Sequence, residues 1–151
     1  MIAVSDAHLA AIARHAESDP AEECCGLLIG TFSADGQKVV HALLPIDNAR
    51  EADARHNRFL IGPEEMLRGE RHARSLGLDV VGIYHSHPNA PAVPSQFDLD
   101  HAWPAYSYII VAVTAAGAGD LNSWVLRDDR SGFDAEPIQR TSPDTSPAPR
   151  P

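Results

Sequence analysis

Cysteine is scarce in this chain: its 151 residues contain two, and they are neighbours, Cys24 and Cys25. Adjacent residues on a strand point to opposite faces, so a disulfide between them would need strained geometry. The expectation is a pair of buried thiols in a reducing, cytoplasmic compartment. Basic residues are also few, 12 Lys and Arg against 21 Asp and Glu, for a formal net charge of −9. Such an acidic surface lacks the basic patches that hold phosphates, which argues against nucleic acid as a main partner. No apolar run approaches the ~20 residues of a membrane span, so no membrane is expected either. The N-terminal MIAVSDAHL has no basic n-region and carries Asp6, unlike a signal peptide. A chain of this length can bury a core without staples, and one domain is expected.

Periodic pattern is present along most of the chain. Residues 5–18 set Leu9, Ile12, Ala13 and Ala16 at helical spacing after a Ser5/Asp6 start, and Asp19-Pro20 ends the segment. Residues 23–29 read as a buried strand, with 38–45 as its hairpin partner across a turn at Asp35-Gly36. A looser stretch, 47–55, leads to a short strand near 58–61. Pro63 then opens a helix that runs to about Ser75, with Glu64 and Glu65 in its first turn and Gly77 beyond its end. The segment Asp79–His87 is the most strand-like of all. Pro88, Pro91 and Pro94 keep the next loop from becoming helical, and residues 95–101 read as a short helix. Two further strands, 106–113 and 121–126, flank a glycine-containing turn. Residues 141–151, TSPDTSPAPRP, have the composition of a disordered tail, which leaves 1–140 as the domain. The fold class is α+β: a mixed β-sheet flanked by two main helices, with a short helix close to a pair of histidines.

Those histidines carry the chemistry. On an extended strand Ile83, His85 and His87 share one face and Tyr84 and Ser86 the other. Two imidazoles on one face, running into a loop shaped by three prolines, point to a metal. Asp98 can return on the next element to complete the set. Two neutral imidazoles, one carboxylate and a fourth position left to water is how proteins hold one catalytic zinc. Ser95-x-x-Asp98 is equally a helix capping box, so the cap and the ligand readings stand side by side. Asp100 lies off the face that Ser95 and Asp98 share, and His101, three past Asp98, is an alternative ligand. A zinc-bound water also needs a carboxylate base outside the ligand set. Glu22 and Glu23, at the mouth of an otherwise apolar strand, are the candidates, and either could be an ordinary solvated acid. A zinc deaminase would need His-x-Glu with Pro-Cys-x-x-Cys, which Cys24-Cys25 does not supply.

Taken together, Glu23, His85-Ser86-His87-Pro88, Ser95 and Asp98 resemble the JAMM (MPN+) family of zinc metalloproteases in its stand-alone bacterial form. The family motif is a Glu on an early strand, then His-x-His-Pro, seven residues from the second His to a Ser, and an Asp three later. The likeness extends to PAEECCGLLIG around Glu23, to Pro45-Ile-Asp-Asn48 and to Arg58-Phe-Leu-Ile-Gly-Pro63, and covers residues 5–127. It implies an MPN/JAB-like fold with cytidine-deaminase-like layering. It also implies His85, His87 and Asp98 as zinc ligands, Glu23 as the general acid/base, and Ser95 as the hydrogen-bond donor to the oxyanion. Glu23 is preferred to Glu22 because it stands three before Gly26. Cys25 is expected to share a face with Glu23 as a packed thiol. The implied activity is hydrolysis of the bond after the C-terminal glycine of a ubiquitin-like protein, of the sulfur-carrier type with a Gly-Gly tail. Such a tail could add as a strand beside an exposed sheet edge. The alternative is a non-catalytic MPN-fold binding module, though such modules usually lose ligands and this chain keeps them all.

Overall fold

The histidine-bearing strand lies inside an eight-stranded mixed sheet rather than at its edge. The structure, a computed structural model, describes residues 1–47 and 61–142. In chain order its elements are β1 (Ile2–Ser5), α1 (Asp6–Ser18), β2 (Cys25–Phe32), β3 (Lys38–Ile46) and α2 (Pro63–Ser75). They continue as β4 (Asp79–Pro88), α3 (Gln96–His101), β5 (Ser107–Thr114), β6 (Gly117–Leu126), β7 (Phe133–Glu136) and β8 (Ile138–Thr141). The sheet order is β7-β6-β5-β4-β2-β3-β1-β8. β4 runs parallel to β5 and antiparallel to β2, and β1 is parallel to both β3 and β8. Covered on both faces, β4 is a nearly unbroken buried run, as an interior strand with a parallel neighbour must be.

The two main helices cover opposite faces. Ser5 ends β1 and caps α1, its Oγ accepting the His8 N–H at 3.0 Å, a contact worth about 1 kcal/mol. The predicted stripe then buries Leu9, Ile12 and Ala16 against Val4, Leu28, Tyr84 and Ile109. On the other face α2 starts with Pro63 and two glutamates, which suits both the missing N–H and the positive helix end. It packs Met66 and Ala73 with Leu27, Ile29, Val80 and Ile83. Each fully buried Leu or Ile in these layers contributes about 1.5–3 kcal/mol relative to exposure.

A bulge sets the phase of β4. Leu28 pairs with Gly82 and Ile29 with Val80, so Val81 is the extra residue between them. Val81 faces α1, whereas Val80 and Ile83 both face α2. From Ile83 onward the alternation is regular, and it carries His85 and His87 to the α2 side of the sheet.

Three strands were not anticipated. β1, β7 and β8 have four residues each, too short to show a period. β2 begins at Cys25, two residues later than expected. At Cys24 a side chain enters the pairing: its N–H goes to Ser86 Oγ at 2.9 Å, while its carbonyl accepts the Ser86 N–H at 3.1 Å. Thr141, assigned to the tail, ends β8 opposite Ser5. Residues 143–151 of that tail, most of the looser segment and the strand near 58–61 lie outside the described residues, except Ile61, which is in no strand.

β7 and β8 are joined by Pro137 alone yet stand at opposite ends of the sheet order, so the sheet curls until its edges almost meet. Glu136 sits at that closure. Its Oε1 accepts from Ser107 Oγ at 2.5 Å and Ser123 Oγ at 2.8 Å, and its Oε2 from Lys38 Nζ at 3.3 Å. The two edges among the described residues are therefore short and joined to each other, and β4 is not one of them. No described helix is long and apolar enough to cross a membrane.

Candidate metal centre

The site is assembled where β4 ends. Cys25 and Ile110 flank His85 on the neighbouring strands, and Ala112 lies beside His87. After Pro88 the chain leaves the sheet through Asn89, whose φ of 53° lies in the left-handed region that asparagine tolerates better than most residues. The Asn89 N–H stays tied to the Val113 carbonyl at 2.8 Å. The loop then turns back over the histidines, and Ser95 caps α3.

The capping box is complete. Ser95 Oγ accepts the Asp98 N–H at 3.1 Å, and Asp98 Oδ2 accepts the Ser95 N–H at 2.8 Å. The same carboxylate faces both histidines, with Oδ2 3.2 Å from His87 Nε2 and Oδ1 3.3 Å from His85 Nε2. The two Nε2 atoms are 3.0 Å apart. Cap and ligand, which the sequence left as alternatives, are thus geometrically compatible in one side chain. Four donors placed ~2.0–2.2 Å from a tetrahedral zinc are separated by about 3.3–3.6 Å. Spacing, donor type and burial here fit that group.

Glu23 approaches from the other side. Its Oε1 lies 3.8 Å from His87 Nε2, and the side chain is buried although it precedes β2. Glu23, His85 and His87 offer donor atoms that all lie within 4.8 Å of one another. Glu22 is only half-buried. His101, the alternative ligand, turns its Nδ1 to the Phe97 carbonyl at 2.9 Å and stacks on the Phe97 ring. Asp100 accepts from Gln96 Nε2 at 2.8 Å on the solvent side. Cys25 is a free, buried thiol whose Sγ lies 3.5 Å from the Ile46 carbonyl, and burial pushes its pKa up.

The electrostatics suit ligation. Burial pulls His85 below the ordinary imidazole pKa, which keeps its lone pair available. Burial acts on His87 too. It is outweighed by the Asp98 hydrogen bond, the Pro91 carbonyl and the charges of Asp98 and Glu23, so this pKa is raised. Asp98 is buried as well, but His85, His87 and the Ser95 amide hold its carboxyl well below the usual range. His87 Nδ1 lies 2.9 Å from the Pro91 carbonyl, a group that only accepts. Nδ1 therefore carries a hydrogen, which leaves Nε2, the atom facing Asp98, as the one that would turn a lone pair to a metal. Sequence reading did not find this carbonyl, because backbone groups leave no residue-type signature.

Two cavities adjoin the cluster. Glu23, His87 and Ser95 line one of about 450 Å³, walled by Pro88, Pro91 and Phe97. The other, about 470 Å³, lies between α2 and α3 and is apolar, with Met66, Phe97, Trp103 and Tyr108 around it and Asp98 at one end.

A family model described as prokaryotic homologs of the JAB domain matches residues 5–127. The chain belongs to this family. A desampylase of Haloferax volcanii is 38% identical to it over 96 residues, 63% of this chain and 66% of that protein. A probable TtuB-protein conjugate cleaving protease of Thermus thermophilus is 31% identical over 75 residues, 50% of this chain and 49% of the relative. The solution structure of a Salinibacter ruber protein aligns with a TM-score of 0.72 at 36% identity, over 99% of this chain and 97% of that one. The JAB-type α+β fold read from the motif is therefore the fold of this chain. The matches span between about half and just under two thirds of these curated relatives' own length.

Proposed function

We propose that this JAB-family chain is a zinc-dependent isopeptidase that hydrolyses the bond after the C-terminal glycine of a ubiquitin-like, sulfur-carrier-type protein. The observation that carries the reading is the meeting of His85, His87 and Asp98 donor atoms 3.0–3.3 Å apart with a second buried acid, Glu23, beside but outside that triangle. A closed structural site would use all its acids as ligands, whereas a hydrolytic one keeps a base in reserve. His85, His87 and Asp98 would hold the zinc. When bound, zinc lowers the pKa of a coordinated water to near ~7 and polarises a carbonyl.

The chain's own groups do the rest. Glu23, buried next to His87, takes the proton released by the attacking water and delivers it to the departing amine. Ser95 Oγ already accepts the Asp98 N–H, so its own hydrogen is free to point into the shared cavity. There it donates to the substrate carbonyl oxygen as charge develops on it. The substrate class rests on relatives named for cleaving conjugates of ubiquitin-like proteins. The free thiols Cys24 and Cys25 support a cytoplasmic site of action.

The test combines metal analysis with cleavage. The purified protein should carry one zinc, and it should release lysine from a conjugate with the C-terminal glycine of a ubiquitin-like carrier. Chelation should abolish that release, zinc should restore it, and His85→Ala should lose both. A folded wild-type protein that takes up no zinc, or hydrolysis that survives chelation, would overturn the proposal.

A further inference from the structure

His87 is aimed by contacts that begin two strands away. Its Nδ1–H is accepted by the Pro91 carbonyl, and that same carbonyl accepts the Val93 N–H at 2.8 Å, closing a tight three-residue turn centred on Ala92. The Ala92 methyl is buried, and the Ala92 carbonyl accepts two side-chain donors from β6: Asn122 Nδ2 at 3.2 Å and Trp124 Nε1 at 3.1 Å. Asn122 and Trp124 are two apart on one strand and so share a face. Their cross-strand partners on β5 are Ile110 and Tyr108, and Ile110 itself pairs with His85. A loop with three prolines offers few backbone donors, so its position depends on what reaches it from the sheet.

We infer that Asn122 and Trp124 are positioning residues of the metal centre. Resting on the zinc reading of the site, the inference is that they clamp the Ala92 carbonyl and so hold the Pro91 carbonyl where it fixes the tautomer and direction of His87. Two donors converging on one carbonyl leave it no freedom to rotate. Turning Ala92 would break the turn and release the His87 Nδ1–H together. Neither residue touches the cluster, and both act through the loop. Outer partners of a ligating histidine typically change metal affinity or activity by about 10–100-fold.

The measurement is zinc affinity of the metal-free protein, by competition with a chromophoric chelator, together with the ligand-field bands of the cobalt-substituted form. Trp124→Phe keeps an aromatic ring and removes the N–H, and Asn122→Ala removes the second donor at an exposed position. The double variant should bind zinc at least ~10-fold more weakly and shift the cobalt bands, with each single variant intermediate. A merely structural role would also be exposed by Ile12→Val, a core change on the α1 face that leaves the loop alone. If that control weakens zinc as much at equal loss of thermal stability, the inference is overturned. It is equally overturned if the double variant keeps wild-type affinity and spectrum while the wild type binds zinc. A wild type that takes up no zinc would overturn the zinc reading and this inference with it.

Discussion

Asp98 is constrained from two directions, by the first turn of α3 and by two imidazoles, and Ser95 shares the first of these constraints. Ser95→Ala should therefore have two separable effects. Loss of the cap lowers stability by about 1 kcal/mol, and loss of the hydroxyl donor lowers kcat by roughly 10²-fold. Ser95→Asp keeps a capping oxygen without a hydrogen to donate, so denaturation should recover while kcat does not. Glu23→Gln should keep the fold and the zinc but reduce hydrolysis by about 10²–10⁴-fold, with Glu22→Gln near wild type. If Glu22→Gln were the inactive one, the base is misassigned. That His85 and His87 share a face could be read in advance because a strand repeats every two residues, and that Ser95 and Asp98 are neighbours because a helix brings residues three apart together. Glu22 and Glu23 could not be told apart that way, since they precede the regular strand. What separates them is the pairing of Cys25 with His85: stepping back by two from Cys25 reaches Glu23 on the same face.

At the level of elements, β4 works because it approaches its neighbour closely. A Cβ on Gly82 would meet the Ser107 carbonyl of β5, so no larger residue fits without moving one strand. Gly82→Ala should destabilise the protein by about 1–3 kcal/mol in chemical denaturation. It should also weaken zinc binding, because the shift propagates along the strand to His85. A variant with unchanged midpoint and unchanged affinity would show that the strand has slack. The sequence made β4 legible through the apolar run of residues 80–84. The bulge at Val81 was not legible, since an extra residue shows only against a partner's register. α1 and α2 were read nearly to the residue from capping and proline position. β7, Phe-Asp-Ala-Glu, alternates apolar and acidic residues for one four-residue stretch before a proline, too short a pattern to stand out.

For the molecule as a whole, two groups of ionisable residues, one half-buried and one buried, set its response to solvent and mutation. Burial lowers the pKa of His8 and His15 on α1, and His15 Nδ1 shares a hydrogen bond of 2.7 Å with the Tyr84 hydroxyl. Their folded values lie below the unfolded ones, so below about pH 6.5 the unfolded chain binds more protons and stability falls with pH. The metal-free protein should melt at progressively lower temperature as pH drops through that range. His15→Gln, which can still accept from Tyr84, should flatten the dependence, and an unchanged slope would refute it. At the sheet closure, Lys38→Met removes the nearer cation from the buried Glu136 carboxylate, leaving it the Met1 amino group at 3.6 Å, and should cost about 3 kcal/mol. Lys38→Met with Glu136→Gln should cost less, as measured by denaturant midpoints. The closure lay beyond sequence reading because it depends on strands of four residues whose partners are distant in the chain. It also has a kinetic meaning. β1 pairs with β8, residue 2 against residue 138, and such a contact forms only after the loop entropy of nearly the entire domain has been overcome. On the ribosome, β1 can meet β3 early, but its other side stays open until residues 138–141 have been made. Refolding should accordingly end in a slow phase that a chain ending before residue 138 lacks, and that shorter chain would leave β1 open to pairing with its copies.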